Sequence, residues 1–477
     1  MNYIKEKRVL WIIVLIYIVF FSAFTAFRHY NFHTQTWDMG IFAQTMWNTT
    51  HGNFMQNSIE EVSNHLGVHM SPFLILLVPD YFLFPSPYTL LITQTILIAL
   101  GAIPLYFLAK RLLGDAKIWP LLIAGGYLLY PSLHWINTFD FHVISFLVPL
   151  LITAFYFIES KNWTWAAIFL MLSASTKEDA ILVVLFVGLY LLLKPKEGFW
   201  WNNERKLGLA TVILSILYFI IAVQFIMPAL GGGLVRLDRY EQLGSTPAEM
   251  ITNTIQNPQI LISTIFTSAK LRYVFWLLLP VAFLPLFSGR AIILLIPGLL
   301  ENLLTNFSSQ FSNLYQYDSV LVAGIFIASI YGLKNILNKY PQKSNILKWL
   351  LVFTMVVAYI MRSPVNPLYF PTNIFTSTPK QDAYRAMVNL VPPEIVVSAH
   401  TNILPHLTNR KNIYMLGTEQ IAADVVLVDA TDIFGFASQD QFEAYINSYF
   451  NTGQYRYTTI ENKYLVIFHE RLNLHIP

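Results

Sequence analysis

Apolar runs long enough to cross a lipid bilayer recur along this chain, and they constrain its fold more than any other feature. The first covers 9–27, about 19 residues. At about 1.5 Å per residue, that nearly matches a hydrocarbon core of roughly 30 Å. Lys5, Lys7 and Arg8 precede it, and Arg28, His29 and Tyr30 follow where a cleaved signal peptide would carry small residues. It therefore reads as a retained first helix. Further runs lie at 88–108, 118–135, 143–158, 163–175, 180–193, 207–227, 273–287, 291–304, 320–333 and 346–361, which makes about eleven. The stretch 72–84 is shorter and broken by Pro79, so it reads as interfacial or re-entrant. Composition agrees: 55% of the 477 residues are hydrophobic and 12% charged. A soluble domain carries about a quarter charged residues, so most of this surface must face lipid. The expected fold is an α-helical polytopic membrane protein.

Loop charge sets the expected orientation. With the N-terminus cytoplasmic, the connections on that side carry Lys110, Arg111 and Lys117, then Lys161, then Lys194, Lys196, Arg205 and Lys206, then Arg290, and finally Lys334, Lys339, Lys343 and Lys348. The expected division is a transmembrane domain over 1–361, with an extracytoplasmic loop at 28–71, and a soluble extracytoplasmic α/β domain over 362–477. In that tail, strands are expected at 395–398, 425–428 and 464–468, and helices at 381–390 and 441–449. A net charge of +3 without a basic block gives no footprint for nucleic acid. With no cysteine, disulfides and thiolate chemistry are excluded. Gly231-Gly232-Gly233 lacks the Lys-Ser/Thr of a phosphate-binding loop.

On this topology the chemically capable side chains fall on one side. The 28–71 loop holds Asp38, Glu60, Glu61, His65 and His69. Later connections on the same side hold Asp140 and His142, then Lys177, Glu178 and Asp179, then Arg236, Arg239 and Tyr240. Glu301 and Asn302 end the ninth helix, and Tyr315, Gln316 and Tyr317 follow. Ionisable groups near membrane depth are costly and tend to mark function, so the pattern suggests one extracytoplasmic cavity. The plainer reading is that outside loops collect acids because inside loops collect bases. Lys177-Glu178-Asp179 sits between apolar runs with almost no loop, which places these charges inside protein or against water.

Each motif allows two readings. Asp38 either caps a short amphipathic helix carrying Ile41, Phe42 and Trp47, or acts as a general base. Asp140-Phe141-His142 either makes a structural Asp–His hydrogen bond, or presents both side chains to one phosphate or one cation; oxygen ligands suit Mg²⁺ or Mn²⁺. His65 and His69 are four apart, like half a zinc site, yet Gly67 and Pro72 oppose a helix and no Glu follows His65 as a hydrolytic base. Substrate positioning suits them better. Lys177, Arg236, Arg239 and Arg272 either neutralise a leaving phosphate or meet anionic lipid headgroups. Trp135, Tyr273 and Trp276 read as interfacial aromatics.

Several of these motifs carry a resemblance. Trp37-Asp38-Met39-Gly40-Ile41-Phe42-Ala43-Gln44 resembles the Tyr-Asp-Leu-Gly-Ile-Phe-x-Gln signature of the prokaryotic polytopic membrane family named domain of unknown function 2079. His69-Met70-Ser71-Pro72, Phe139-Asp140-Phe141-His142, Thr176-Lys177-Glu178-Asp179 and Pro405-His406-Leu407 resemble its further motifs. The chain departs from that pattern at Val68, where Asp is usual, and at Gln316, where His is expected. That family in turn is similar to GT-C glycosyltransferases, multi-helix enzymes that use polyprenyl-phosphate-linked sugars.

The resemblance implies a transferase moving a sugar from a lipid-phosphate donor to an acceptor outside the cytoplasm, at a prokaryotic cell membrane. It implies catalytic roles for Asp38, Asp140 and His142, with Asp140 and His142, and Glu301 with them, on a divalent cation or the phosphate. It implies substrate contacts at His65, His69, Lys177, Glu178, Asp179, Arg236, Arg239, Glu301, Asn302, Tyr315 and Tyr317. Glu178 and Asp179 would orient Lys177, and the tail would recognise the acceptor or cover the cavity. Two other classes fit the same residues: a lipid-linked sugar flippase, and a non-catalytic membrane component of an envelope-assembly complex.

Overall fold

The computed structural model describes residues 3–114, 118–193 and 202–472. Lys117, Lys194 and Lys196, three of the basic loop residues, lie outside the described residues.

All eleven apolar runs are helical over much of their length. Five helices are long and apolar enough to cross a membrane: Lys5–Tyr30, Pro87–Leu113, Asn203–Ala229, Gln316–Lys339 and Pro341–Arg362. A sixth crossing results if Gln259–Ile265 and Ser268–Val281, which meet at 61°, count as one. The other runs form shorter helices, among them Trp119–Leu128, Val143–Glu159 and Trp163–Ala174. Proline opens several of these segments: Pro120, Pro131 and Pro297 each stand in a first turn, where the missing N–H costs nothing. Gln316–Lys339 runs through the centre, with 72% of its apolar window buried. Asn203–Ala229 and Pro341–Arg362 are peripheral, 22% buried, and turn Leu214, Phe225, Ile346 and Phe353 outward. Such apolar faces suit lipid.

The two ends of the bundle differ in chemistry. At the end where helix Tyr3–Tyr30 begins, Lys110 meets Glu6, Arg111 donates to the Glu159 carbonyl and Arg290 lies over Tyr190. At the other end sit the 28–71 loop, the acidic turns and the tail. Tyr273, expected at the interface, is instead buried and donates to Asp318 at 2.7 Å, because it lies on the inward face of helix Ser268–Leu278 with Leu277 and Leu278.

The tail holds five strands: β1 (Val397–Ala399), β2 (Ile413–Met415), β3 (Val425–Asp429), β4 (Tyr455–Ile460) and β5 (Tyr464–His469). Their order is β2-β1-β3-β5-β4, the first three parallel and the last two antiparallel. Strand alternation sends Val397, Ala399, Val425, Leu427 and Val466 to one face, against Tyr384 and Met387 of helix Pro379–Asn389. Val426, Val428 and Ile467 take the other face, against Phe442 of helix Gln439–Phe450. The first face is completed by Phe32, Ile41 and Ile59, which belong to the 28–71 loop. The tail core is therefore shared with a segment more than 300 residues earlier in the chain.

Polar bonds seal this junction. Ser58 Oγ donates to the Ile413 carbonyl at 2.8 Å and accepts from its N–H at 2.9 Å. Gln44 Nε2 donates to the Lys411 carbonyl, and Thr36 Oγ1 to the Thr401 carbonyl. His29 stacks on His406 with ring centres 4.1 Å apart. Gly40 is explained here too: a Cβ on it would lie 2.8 Å from Leu404 of the tail.

Candidate active site

The loop-and-turn end of the bundle encloses a cavity of about 470 Å³. Twelve of the fourteen expected site residues line it: Asp38, His65, His69, His142, Lys177, Glu178, Asp179, Arg236, Arg239, Glu301, Tyr315 and Tyr317. Asp140 and Asn302 do not. Among the described residues, none of the tail lines this cavity; the tail packs against the 28–71 loop that forms part of its wall.

Asp38 sits on a short turn, Thr36–Gly40, that leads into helix Ile41–Thr50. It caps no helix by side chain. His142 Nε2 donates to Asp38 Oδ1 at 2.7 Å. The His142 ring lies nearly parallel to Phe139, and Gln94 accepts from the His142 N–H at 2.8 Å while donating to the Asp140 carbonyl at 2.9 Å. The histidine is thus fixed from two sides, and it in turn fixes the carboxylate.

Asp140 corrects the expected pairing with His142. Its φ of 48° turns the chain through a left-handed conformation, so the two side chains diverge instead of pointing one way. Asp140 faces the back of the Asp38 loop: Oδ2 accepts from the Gln35 N–H at 2.8 Å, and Oδ1 lies 3.6 Å from Arg28. Burial pushes its carboxyl up to about 6, against the opposing pull of Arg28. Asp140 and His142 therefore do not fit one shared cation. Among the described residues, no three His, Asp or Glu side chains converge on one point that would hold a metal.

Two more histidine–carboxylate pairs line the cavity. His65 opens a single helical turn, His65–Val68, which forms despite Gly67 because Asn64 accepts from the Leu66 N–H, and His69 follows it in extended conformation. His65 Nδ1 donates to Glu60 Oε2 at 2.9 Å, and His69 Nδ1 to Glu178 Oε1 at 2.8 Å. Burial alone would raise Glu60; its bonds to His65 and Asn57 and the nearby His69 outweigh that and hold it below the ordinary value. Glu178 also accepts from the Met70 N–H, so it orients His69 more than Lys177, which is 3.8 Å away. Asp179 is the partner of Lys177, at 2.5 Å.

Arg236 is exposed and 3.8 Å from Glu61. Arg239 is held differently: its guanidinium lies 4.2 Å from the Phe307 ring centre and 5.6 Å from that of Tyr317, with Gln310 as an acceptor. The segment carrying both arginines is tied to the histidine turn by main chain. The Gly233 N–H donates to the Gly67 carbonyl at 3.0 Å, and a Cβ on Gly67 would lie 3.1 Å from the Leu230 carbonyl oxygen. Tyr315 packs edge-on against Phe139. Asn302 is buried beneath the wall and donates to the Tyr273 hydroxyl and the Tyr317 carbonyl, so it supports Tyr317 without reaching the cavity. Arg28, Gln94, Phe307 and Gln310 are parts of the site that sequence reasoning missed. Nothing local to them signals it; each acts through a partner distant in sequence.

The fold is GT-C glycosyltransferase-like. ArnT from Cupriavidus metallidurans bound to undecaprenyl phosphate aligns over 95% of this chain and 97% of its own, at 11% identity with a TM-score of 0.54. The oligosaccharyltransferase AglB from Archaeoglobus fulgidus, in complex with an inhibitory peptide and a dolichol-phosphate, aligns over 100% of this chain and 75% of its own, at 10% identity and 0.49. No curated protein matches the sequence. The chain belongs to the family described as Predicted membrane protein (DUF2079), whose pattern covers residues 28–466.

Proposed function

We propose that this protein transfers a sugar from a polyprenyl-phosphate-linked donor to an acceptor hydroxyl on the extracytoplasmic face. One observation carries the reading: a fixed Asp38–His142 pair and the stacked Arg239 cation line the same cavity, at one end of a GT-C-like bundle. The undecaprenyl phosphate held by ArnT supports the donor class. In this reading Asp38 takes the proton of the acceptor hydroxyl as its oxygen attacks the anomeric carbon. The carbon–oxygen bond to the phosphate breaks, and the phosphate leaves with the electron pair, neutralised by Arg239, Arg236 and Lys177. His142 orients Asp38. Asp140 is a positioning residue: through Gln35 and Arg28 it holds the loop that carries Asp38. Tyr315, Tyr317 and Glu301 complete the donor wall. The N-terminus is cytoplasmic, and the cavity and tail lie outside.

The test is transfer from radiolabelled polyprenyl-phosphate sugars by the purified protein. Transfer should vanish in Asp38→Asn. Unchanged transfer in that variant would remove the base role, and donor-independent lipid movement in liposomes would replace the reading with a flippase. Because the chain has no native cysteine, sidedness has its own test. In intact cells, Glu61→Cys should react with an impermeant maleimide and Lys161→Cys should not.

A further inference from the structure

The cavity is acidic for a site meant to take a phosphate. Carboxyl side chains outnumber cations on its wall: Asp38, Glu60, Glu61, Glu178, Asp179 and Glu301 stand against Lys177, Arg236 and Arg239. An anionic donor entering this wall meets repulsion unless a cation arrives with it.

Two histidines of the same wall are prepared for one. His65 and His69 are one helical turn apart, and the His69 N–H donates to the His65 carbonyl. Each gives Nδ1 to a carboxylate, Glu60 or Glu178. A carboxylate on Nδ1 keeps the ring proton there and leaves Nε2 as a free lone pair, the arrangement found behind metal-ligating histidines. His65 is 1% exposed, and its Nε2 has no hydrogen-bond partner. A buried polar atom left unpaired is costly unless something binds it. The two ring centres are 6.1 Å apart. Two imidazoles on one tetrahedral ion, at metal–nitrogen distances of about 2.0–2.1 Å, hold their ring centres roughly 5 Å apart. His69, with 28% of its side chain exposed, has room to close the difference.

We propose that His65 and His69 bind one divalent transition-metal ion of the zinc class through Nε2. Glu60 and Glu178 hold the rings, and water or a phosphate oxygen takes the remaining positions. Two imidazole nitrogens select such an ion over Mg²⁺, which prefers oxygen. Binding the ion adds two positive charges to the wall where the donor enters. That role rests on the transferase reading; the binding itself does not.

The experiment uses the full chain in detergent, stripped with chelator and titrated with Zn²⁺ alone, then with Co²⁺ alone. One ion per chain should bind, with visible Co²⁺ absorption bands. His69→Gln should weaken Zn²⁺ at least tenfold, and Glu60→Gln by about 10–100-fold, the usual cost of losing an outer-shell acceptor. The metal-free melting temperature of His69→Gln, matched to wild type, separates lost ligation from misfolding. Absence of saturable Zn²⁺ binding overturns the proposal, as does wild-type affinity in His69→Gln. Binding that survives His69→Gln but fails in His142→Gln puts the ion at Asp38 and overturns it too. Inorganic phosphate bound without metal and lost in His69→Gln makes the pair an anion site instead. Intact Zn²⁺ binding without sugar transfer sinks only the transferase reading.

Discussion

The 28–71 loop has two faces, and they are finished differently. Toward the tail, Ser58, Gln44 and Thr36 find main-chain partners on β2 and its neighbours, and Phe32, Ile41 and Ile59 complete a hydrophobic core. Toward the cavity, His65 leaves a nitrogen unpaired, and Asp38 and His69 are each held by one neighbour with part of the side chain open. A closed polar group gains its energy once, on folding; an open one keeps bonding capacity for a ligand. The loop is thus anchored by one face so that the other can be held ready.

The largest test of this contrast removes the anchor. A chain ending at residue 361 should lose cooperative melting and all transfer, with the 28–71 loop cut readily by protease. A folded, active truncation would break the comparison and make the tail an accessory. Asp38→Asn, on the open face, should instead cut transfer by about 10²–10⁴-fold, the usual worth of a general base, at unchanged melting temperature. Arg239→Lys keeps the charge and loses the planar stacking on Phe307 and Tyr317. Loss of about 1–2 kcal/mol of cation–π contact should weaken donor binding about tenfold. Ser58→Ala, on the closed face, leaves the Ile413 N–H and carbonyl unpaired. It should lower stability by about 1–3 kcal/mol in denaturant melts without changing kcat.

The smallest effect is at Asp140. Its folded carboxyl titrates near 6 against an ordinary 3.8, so folding favours the protonated form. Stability present below the ordinary value is lost as pH rises to about 6. Asp140→Asn cannot titrate, and its melting temperature should stay flatter across that window.

How much of this could be read from the sequence depends on distance along the chain. Asp38, His65, His69 and the Lys177-Glu178-Asp179 turn were legible because short motifs between apolar runs are local signals. Asp140 was misjudged because one left-handed residue undid an assumption of extended geometry. β1, β3 and β5 were visible as apolar runs. β2 was missed because three residues give no period, and β4 because it is an edge strand whose Arg456, Thr458 and Thr459 leave no apolar run. Among the described residues five helices are long enough to cross alone and several other runs form shorter helices, since an apolar run inside a protein-packed bundle looks like one facing lipid. The junction between the first loop and the tail joins residues more than 300 apart, and no single-sequence pattern reports such a contact.

The bond from Gly233 to the Gly67 carbonyl works as a ruler made of main chain. It fixes how far the arginine segment stands from the histidine turn without using any side chain. Substitutions that leave Gly67 and Gly232 in place can change the charge or size of what the cavity holds, but not that spacing; a Cβ on Gly232 would lie 1.9 Å from the Gly67 carbonyl oxygen. A side chain at Gly232, or a residue inserted into or removed from the Gly231–Gly233 stretch, would reset it. The distance between the arginine segment and the histidine turn is therefore set at one short glycine run.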